Sequence, residues 1–365
     1  MENNTQTTEE KLVLKMTGKV IALVKIIVIL AAGNLALLAY FSQQVTLESE
    51  PEPGSDKKMT SQTPNKKESP FPAFDANFSI DGLGHNGADA LIRYGHDIVM
   101  NTSSFIGPAN PDPTKVYAGN NLSCKNCHLD GGTKPHAAPF VGIANRYPKY
   151  MSREDQVADL HQRVNGCMER SMNGRKFPPE SKELKAIVAY MEWLSKDVPS
   201  TVSVQGRGFA EVKIPNRKVD LHKGKDLFAQ KCASCHGSEG QGVSSGENQY
   251  SFPPLAGDDT YNNGAGMHRV LTAARFLKAN MPLGATSENP ILSDEEAYDL
   301  AGYINSLKHP KKSGLEKDFP DLKQKPVSTP YGPFPDHFSQ EQHQYGPFPE
   351  IMAYHEKNFN LKKSK

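Results

Sequence analysis

The chain has 365 residues, which is enough for two small domains and additional segments. Its 42 Lys and Arg residues nearly balance 41 Asp and Glu residues, so no overall electric field favours nucleic acid or an anionic membrane surface. Any selection of a charged ligand must therefore be local, and no nucleic-acid partner is expected.

An apolar run of 22 residues, at 20–41, follows a polar N-terminus, residues 1–19, that carries three lysines. The run is long enough to cross a bilayer as a helix, and the lysines before it predict that residues 1–19 stay in the cytoplasm. The alternative is a signal peptide cleaved near residues 31–33, which would leave a soluble periplasmic protein, but apolar residues continue past that point. We therefore expect an uncleaved membrane anchor that holds the remaining chain on the periplasmic side of a bacterial inner membrane.

The first half of the remaining chain begins after a tether. Residues 42–78 are rich in Ser, Pro, Glu and Lys, a composition that predicts a flexible segment. Residues 79–200 form the first predicted domain, and apolar periodicity predicts its helices at 88–101, 153–172 and 181–195. Residues 201–218 have little helical periodicity and form a predicted linker.

The second half, residues 219–309, repeats this plan. Helices are expected at 220–230 and 266–279, and a capping box of Ser293 and Glu296 opens the last one. Residues 310–365 are rich in Lys and Pro and contain Tyr-Gly-Pro-Phe-Pro twice. They predict an irregular C-terminal extension, either a strap laid over the domains or a disordered tail.

Four of the five cysteines lie in two Cys-x-x-Cys-His motifs, formed by Cys124, Cys127 and His128 and by Cys232, Cys235 and His236. In such motifs the two thiols attach a c-type haem and the adjacent imidazole binds its iron. A zinc site made from both cysteine pairs is the alternative, but the gap between the pairs is far longer than in zinc ribbons. We therefore expect a mainly α fold with two haem domains in tandem, and His128 and His236 as iron ligands.

Each iron needs a second axial ligand. For the second haem the best candidate is Met281, which lies 45 residues after His236, beyond a predicted helix and just before a proline. Its thioether would raise the haem potential. Met267 is the rival candidate, and its place early in a predicted helix makes it the weaker one.

Cys167, the cysteine outside the two motifs, is the candidate ligand for the first haem. It lies 39 residues after His128. An unpaired thiol is a liability in an oxidising compartment, whereas a thiolate stabilised by cations is a strong ligand for iron. The alternative is a buried, inert thiol and a methionine ligand drawn from Met151, Met168 and Met172.

The sequence around Cys167 is rich in arginine. Arg163 at i−4 and Ser171 at i+4 share its helical face, and Arg170 borders that face. Between residues 146 and 176 there are five arginines and two lysines against four acids. Haem propionates account for one or two of these arginines, and guanidinium groups bind oxyanions through several aligned donors. The sequence thus predicts an anion site at Arg163, Arg170 and Ser171.

Two phrases resemble the dihaem thiosulfate dehydrogenase/tetrathionate reductase cytochromes, namely Cys-Met-Glu-Arg-Ser-Met-Asn-Gly at 167–174 and Phe-Leu-Lys-Ala-Asn-Met-Pro-Leu-Gly at 276–284. The resemblance spans about residues 80–309, and 338–348 is similar to some members. It implies that His128 and Cys167 bind the iron of a catalytic haem, and that His236 and Met281 bind that of an electron-transfer haem. Some members can use a lysine before this methionine as ligand. Asn280 stands there in this chain, so lysine ligation is not implied.

The resemblance also implies an oxidoreductase that interconverts two thiosulfates and tetrathionate. Two electrons would pass through the second haem to or from a redox partner, such as another cytochrome c or a quinol-linked donor or acceptor. We hypothesise that Cys167 carries a thiosulfate group while Arg163, Arg170 and Ser171 hold sulfonate oxygens. The alternatives are a dihaem electron shuttle without a substrate, a Sox-type haem protein that conjugates thiosulfate to a carrier protein, and a dihaem peroxidase.

Overall fold

The computed structural model describes residues 21, 24–26, 28, 30, 78–198, 204–246 and 248–363. The predicted segment 1–19, most of the predicted anchor at 20–41 and nearly all of the tether at 42–78 lie outside these residues. Among the described residues, no helix is both long enough and apolar enough to cross a membrane.

The first half consists mainly of helices around one apolar core that includes Ile98, Leu184 and Tyr190. The described residues give α1 Gly87–Met100, α2 Thr102–Ile106, α3 Leu129–Gly132, α4 Leu160–Met168 and α5 Lys182–Trp193, with the antiparallel strands β1 Lys149–Met151 and β2 Gln156–Ala158. Short 3-10 turns lie at Ile80–Gly82, Pro113–Lys115, Cys124–Asn126 and Ala144–Arg146.

The second half has its own core, which includes Phe228, Leu271 and Leu300. Its elements are α6 Leu221–Lys231, α7 Ala233–His236, α8 Val270–Asn280 and α9 Asp294–Ser306, with the antiparallel strands β3 Val243–Gly246 and β4 Gln249–Phe252. A 3-10 turn at Gly266–His268 precedes α8. The mainly helical content and the repeated plan of the two halves match the sequence-based prediction.

Side-chain caps explain where several helices begin. Ser181 accepts a hydrogen bond from the Leu184 N–H at the start of α5, and Asp220 accepts from the first turn of α6. Ser293 and Glu296 form a reciprocal capping box at α9, which confirms that prediction. These caps satisfy backbone N–H groups that have no intrahelical acceptor.

Two of the predicted helices are shorter in the structure than the sequence predicts. The expected helix at 153–172 begins only at Leu160, because Asp159 caps it with Gln162 and the preceding residues form the β1–β2 hairpin. The expected helix at 266–279 is interrupted at Arg269, whose backbone is extended between the 3-10 turn and α8. A hairpin thus replaces the start of the first predicted helix, whereas a 3-10 turn and one extended residue replace the start of the second.

The C-terminal extension packs on the rest of the protein and is partly helical, so the expectation of an irregular segment was wrong in this part. It contains α10 Gln340–Tyr345 and α11 Phe348–Phe359, with 3-10 turns at Leu315–Lys317 and Leu322–Gln324. Phe348 and Ile351 are fully buried in the second core, and the Tyr345 carbonyl accepts a hydrogen bond of 2.9 Å from the Val219 N–H. Apolar burial and this backbone bond hold the extension as a strap.

A glycine allows a close helix crossing in each half. A Cβ added to Gly95 in α1 would lie 1.9 Å from the Ala186 carbonyl oxygen of α5. A Cβ added to Gly224 in α6 would lie 2.4 Å from the Asp299 carbonyl oxygen of α9. The helices α1 and α6 can therefore touch the backbone of α5 and α9, the last helix of each half.

Replacing Gly95 or Gly224 by alanine is expected to destabilise the protein by about 1–3 kcal/mol each. Alanine favours helix over glycine by up to about 1 kcal/mol, but the clash with a backbone oxygen can be relieved only by moving a helix. Denaturant unfolding of the haem-loaded protein measures this change. Gly82→Ala is the matched control, because a Cβ there meets nothing within 4 Å. Equal stability of all three variants would contradict the close crossing.

Candidate functional site

The first Cys-x-x-Cys-His motif lies in a capped turn. Asn126 accepts a hydrogen bond of 2.7 Å from the Ser123 N–H, which closes the 3-10 turn Cys124–Asn126. His128 Nδ1 donates to the Ala138 carbonyl oxygen at 2.7 Å. Since Nδ1 carries the proton, Nε2 keeps its lone pair and is available to a metal.

The loop that supplies this carbonyl is held by the linker. The His136 N–H donates to the Gly206 carbonyl oxygen at 2.6 Å, and the Ala138 N–H donates to that of Gly208 at 2.7 Å. The orientation of His128 therefore depends on Gly206 and Gly208, which follow it by 78 and 80 positions in the chain.

A first cavity, with about 850 Å³ of space not occupied by atoms and partly open to solvent, lies beside this motif. Cys124, Cys127 and His128 line it together with Cys167, and most of the remaining walls are apolar. A c-type haem needs two thiols for its vinyl groups, an imidazole for its iron and apolar surroundings for its ring. The residues present fit a c-type haem.

Cys167, in α4, lies in this cavity within hydrogen-bond distance of an arginine. Arg163 Nη1 is 3.0 Å from Cys167 Sγ, as expected for residues one helical turn apart. Burial alone would raise the pKa of the Cys167 thiol, but the Arg163 guanidinium and the His128 imidazole outweigh burial and lower the pKa to about 6. The site favours a thiolate, the form that binds iron and attacks sulfur.

The other predicted residues of the Cys167 helix and its surroundings separate into two groups. Ser171 lines the first cavity, as do Met168 and Met172, two of the alternative ligands. Arg170 does not line it: this side chain is 6% exposed, and its Nη2 donates to Asp318 Oδ1 at 2.7 Å. The structure thus places Arg163 and Ser171 with Cys167 and directs Arg170 to the C-terminal extension.

Arg163 also lines a second, more polar cavity of about 1540 Å³ that includes open solvent. Arg153, from the β1–β2 hairpin, and Arg269, just before α8, line this cavity as well. Lys149 and Lys176 add positive charge, against Glu154 and Glu169. Arg163 therefore lies between the space beside Cys167 and a basic pocket.

The arginines of this pocket carry more positive charge than their surroundings neutralise. Burial, together with repulsion by Arg153 and Arg163, lowers the pKa of Arg269 to about 9. The Nε atoms of Arg153 and Arg269 are buried without a hydrogen-bond acceptor among the described residues. A cavity lined by three arginines and two lysines against two glutamates indicates a site for an oxyanion.

Only part of this pocket can be predicted from the sequence. Arg153 was one of five arginines counted near Cys167, and Arg269 follows Cys167 by 102 residues with no spacing pattern that would link them. Arg175 turned out to have a different role, because its Nε donates to the Val116 carbonyl oxygen and its guanidinium stacks on Tyr117.

The second motif repeats the geometry of the first. His236 Nδ1 donates to the Pro253 carbonyl oxygen at 2.8 Å, which again leaves Nε2 available. Burial lowers the pKa of His236, so the imidazole is neutral. Cys232 packs against the second core. These residues also fit a c-type haem, and the Pro253 carbonyl explains the Phe-Pro-Pro segment at 252–254.

The two candidate methionines lie in different surroundings. Met281 directly follows α8 and packs against the second core. Met267 contacts the same core but also lines the first cavity. Asn280, which directly precedes Met281, connects this part of the chain to the first half, because its Nδ2 donates to the His136 carbonyl oxygen at 3.1 Å.

Comparison with known proteins gives two adjacent domain matches. Residues 114–200 match the family described as SoxA/TsdA, cytochrome c domain, and residues 221–308 match the cytochrome c family. Each match contains one of the two Cys-x-x-Cys-His motifs. The chain thus carries two cytochrome c domains in tandem, consistent with two c-type haems.

Individual proteins are also similar to this chain. Thiosulfate dehydrogenase of Psychrobacter arcticus is 42% identical over 203 residues, which cover 56% of this chain and 61% of that protein. Thiosulfate dehydrogenase of Stutzerimonas stutzeri is 40% identical over 233 residues, which cover 64% and 72%. The solved structure of the as-isolated thiosulfate dehydrogenase TsdBA from Marichromatium purpuratum aligns with a TM-score of 0.59 and 34% identity, over 65% of this chain and 50% of that one.

Proposed function

This chain belongs to the family of thiosulfate dehydrogenase cytochromes, and from that premise we propose that it oxidises two thiosulfates to tetrathionate at Cys167. We further propose that the same site runs the reverse reaction, tetrathionate reduction, when a reductant is supplied. Electrons pass through the second haem domain, at 219–309, to or from a redox protein such as another cytochrome c or a quinol-linked partner.

One observation carries this proposal: a partly buried thiol with a lowered pKa lies beside a pocket lined by more cationic than anionic side chains. Arg163 touches Cys167 Sγ and lines that pocket together with Arg153 and Arg269. Thiosulfate is a dianion with a reactive outer sulfur, and its three oxygens suit guanidinium donors. A protein that only transfers electrons has no need for such a pocket.

Bringing two dianions together is the main electrostatic obstacle of this reaction. Arg153, Arg163 and Arg269 place three cations around one pocket, which offsets the repulsion between two thiosulfates. Ser171 lines the first cavity, and in this proposal its hydroxyl donates a hydrogen bond to an oxygen of the anion next to Cys167. Arg170 has no such role in this proposal, because it lines neither cavity and its Nη2 donates to Asp318.

The proposed bond changes balance without protons. The Cys167 thiolate joins the outer sulfur of one thiosulfate in a new S–S bond, and two electrons are released. The outer sulfur of the second thiosulfate then attacks the sulfur attached to Cys167. This step forms the central bond of tetrathionate, breaks the bond to Cys167 and restores the thiolate. When bound, the two c-type haems supply the two one-electron acceptors that this oxidation requires.

The test uses the full-length, haem-loaded protein with thiosulfate and ferricyanide. We expect one tetrathionate and two reduced ferricyanides for every two thiosulfates consumed, with no carrier protein added. Tetrathionate with a reduced viologen dye tests the reverse direction. The absence of thiosulfate-dependent ferricyanide reduction would contradict the proposal, and a requirement for a carrier protein would favour a Sox-type conjugating activity.

We propose that Met281 is the axial ligand of the second haem. Met281→Leu is expected to change the optical and electron paramagnetic resonance spectra of that haem and to lower its potential, because a thioether ligand raises the potential. Met267→Leu is the matched control, since Met267 packs near the same core but lines the first cavity. The reverse pattern, with Met267→Leu changing the second haem, would assign the ligand to Met267.

We also propose that residues 20–41 anchor the protein and place both haem domains in the periplasm. The 22-residue apolar run and the lysines before it support this topology. After expression of the full chain, the protein is expected to stay with membranes through a carbonate wash and to keep its N-terminus. Release into the soluble periplasmic fraction with a new N-terminus near residues 31–33 would favour a cleaved signal instead.

A further inference from the structure

The C-terminal strap forms one wall of the basic pocket. Phe319, Gln324 and Pro326, all from the strap, line the second cavity. Arg153, Arg163 and Arg269, from earlier parts of the chain, line the same cavity. The pocket is therefore built from three parts of the chain: the Cys167 helix with its preceding hairpin, the start of α8, and residues 315–331.

The strap brings one carboxylate to this wall. Asp318 is 7% exposed, and its Oδ1 accepts a hydrogen bond of 2.7 Å from Arg170. Its Oδ2 accepts a bond of 2.7 Å from the Tyr331 hydroxyl and lies 3.8 Å from Arg153 Nε. Asp318 thus links the strap to Arg170, which follows the Cys167 helix, and to Arg153 of the hairpin.

The backbone of the strap is fixed at the same point. Phe319 has a φ of +63°, a conformation that is unfavourable for a bulky residue. Its N–H donates to the Arg153 carbonyl oxygen at 2.8 Å, and its ring packs 5.7 Å from the Arg153 guanidinium carbon. A strained residue held by the hairpin that it contacts indicates that the local geometry is tightly determined.

A buried lysine, Lys325, holds the segment that follows Phe319. Lys325 is 2% exposed, and its Nζ donates to the carbonyl oxygens of Tyr331 and Pro333 at 3.1 and 2.7 Å. The ammonium group also lies over the rings of Phe319 and Tyr331. These contacts hold Asp318 and its partner Tyr331 in one rigid unit.

We propose that Asp318 is a positioning residue for the anion pocket. This inference rests on the proposed function and deepens it. Asp318 accepts a hydrogen bond from Arg170 and holds the Nε edge of the Arg153 guanidinium. The other donors of Arg153, together with Arg163 and Arg269, then face the substrate anion. Without this carboxylate Arg153 and Arg170 are free to turn, and the pocket loses the alignment that oxyanion binding requires.

The pattern of kinetic effects separates positioning from other roles. Asp318→Asn keeps the shape of the side chain and removes its charge. We expect the KM for thiosulfate to rise by about 10-fold while kcat changes by less than about 3-fold, because Asp318 orients binding groups and does not touch Cys167. Asp318→Ala is expected to raise the KM further. A carboxylate that merely competed with substrate would have the opposite effect, since its removal would lower the KM.

The experiment compares full-length, haem-loaded variants. Glu316→Gln is the matched control, because Glu316 is an exposed acid two residues from Asp318 and lies outside the pocket. Haem spectra and thermal unfolding are recorded for each variant to show that it is loaded and folded. Tyr331→Phe removes one hydrogen bond to Asp318 and is a milder change, for which we expect the KM to rise by about 3-fold. An unchanged or lowered KM in Asp318→Asn and Tyr331→Phe would overturn the inference.

Thiosulfate binding measured by calorimetry without an electron acceptor separates this inference from the proposed function. If the wild-type protein binds thiosulfate and oxidises it, weaker binding by Asp318→Asn supports the inference, and equal binding rejects it. If the wild-type protein neither binds nor oxidises thiosulfate, the proposed function fails and the inference fails with it.

Discussion

Replacement of Cys167 by alanine is expected to reduce thiosulfate oxidation by at least about 10³-fold while both haems remain attached. The variant lacks the sulfur proposed to carry a thiosulfate group, whereas the attachment cysteines and His128 are untouched. Turnover with ferricyanide measures the loss, and the haem content per chain confirms that the variant is loaded. The spectrum of the first haem is expected to lose its thiolate signature.

Two methionines provide the controls for this variant. Met168 and Met172 line the same cavity as Cys167 and are the alternative ligands within it. Met168→Leu and Met172→Leu are expected to keep the thiolate signature and most of the activity. Full activity of Cys167→Ala, combined with its loss in one methionine variant, would transfer the role to that methionine.

Replacement of Arg163 by glutamine is expected to lower kcat/KM for thiosulfate by about 10²–10³-fold. Arg163 donates to Cys167 Sγ and lines the basic pocket, so the variant loses a cation that stabilises the thiolate and a donor for the substrate. Because Arg163 counteracts the effect of burial, its removal is also expected to raise the pKa of Cys167.

Arg175→Gln is the matched control for Arg163. Arg175 lies on the same segment, but its Nε donates to the Val116 carbonyl oxygen, and it lines neither cavity. Both variants remove one positive charge, so a general field effect would lower the activity of both equally. Equal losses in the two variants would contradict a specific role of Arg163.

The part of this site that the sequence could predict is the part set by local geometry. Helical spacing placed Arg163 one turn before Cys167, and the structure brings the two side chains to 3.0 Å. The capping box of Ser293 and Glu296 likewise depends on a few neighbouring residues. Cys-x-x-Cys-His is itself a local motif, so it could be read without any knowledge of the fold.

What the sequence could not predict depends on contacts between distant segments. Arg269, just before α8, lines the same cavity as residues of the Cys167 helix, and Asp318 reaches Arg170 across 148 positions of the chain. Helical spacing alone predicts that Arg170 lies beside Cys167. In the structure its guanidinium donates to the Asp318 carboxylate of the strap instead. The hairpin at Lys149–Met151 and Gln156–Ala158 was missed because its residues carry no clear alternation of apolar and polar positions.

The most direct test of the central claim is mass spectrometry of the Cys167 peptide after the haem-loaded protein has been incubated with tetrathionate. Our account predicts a thiosulfate group attached to Cys167, a smaller yield in Arg163→Gln and removal of the group by added thiosulfate. A wild-type protein that produces tetrathionate from thiosulfate but never carries this group on Cys167 would contradict the account.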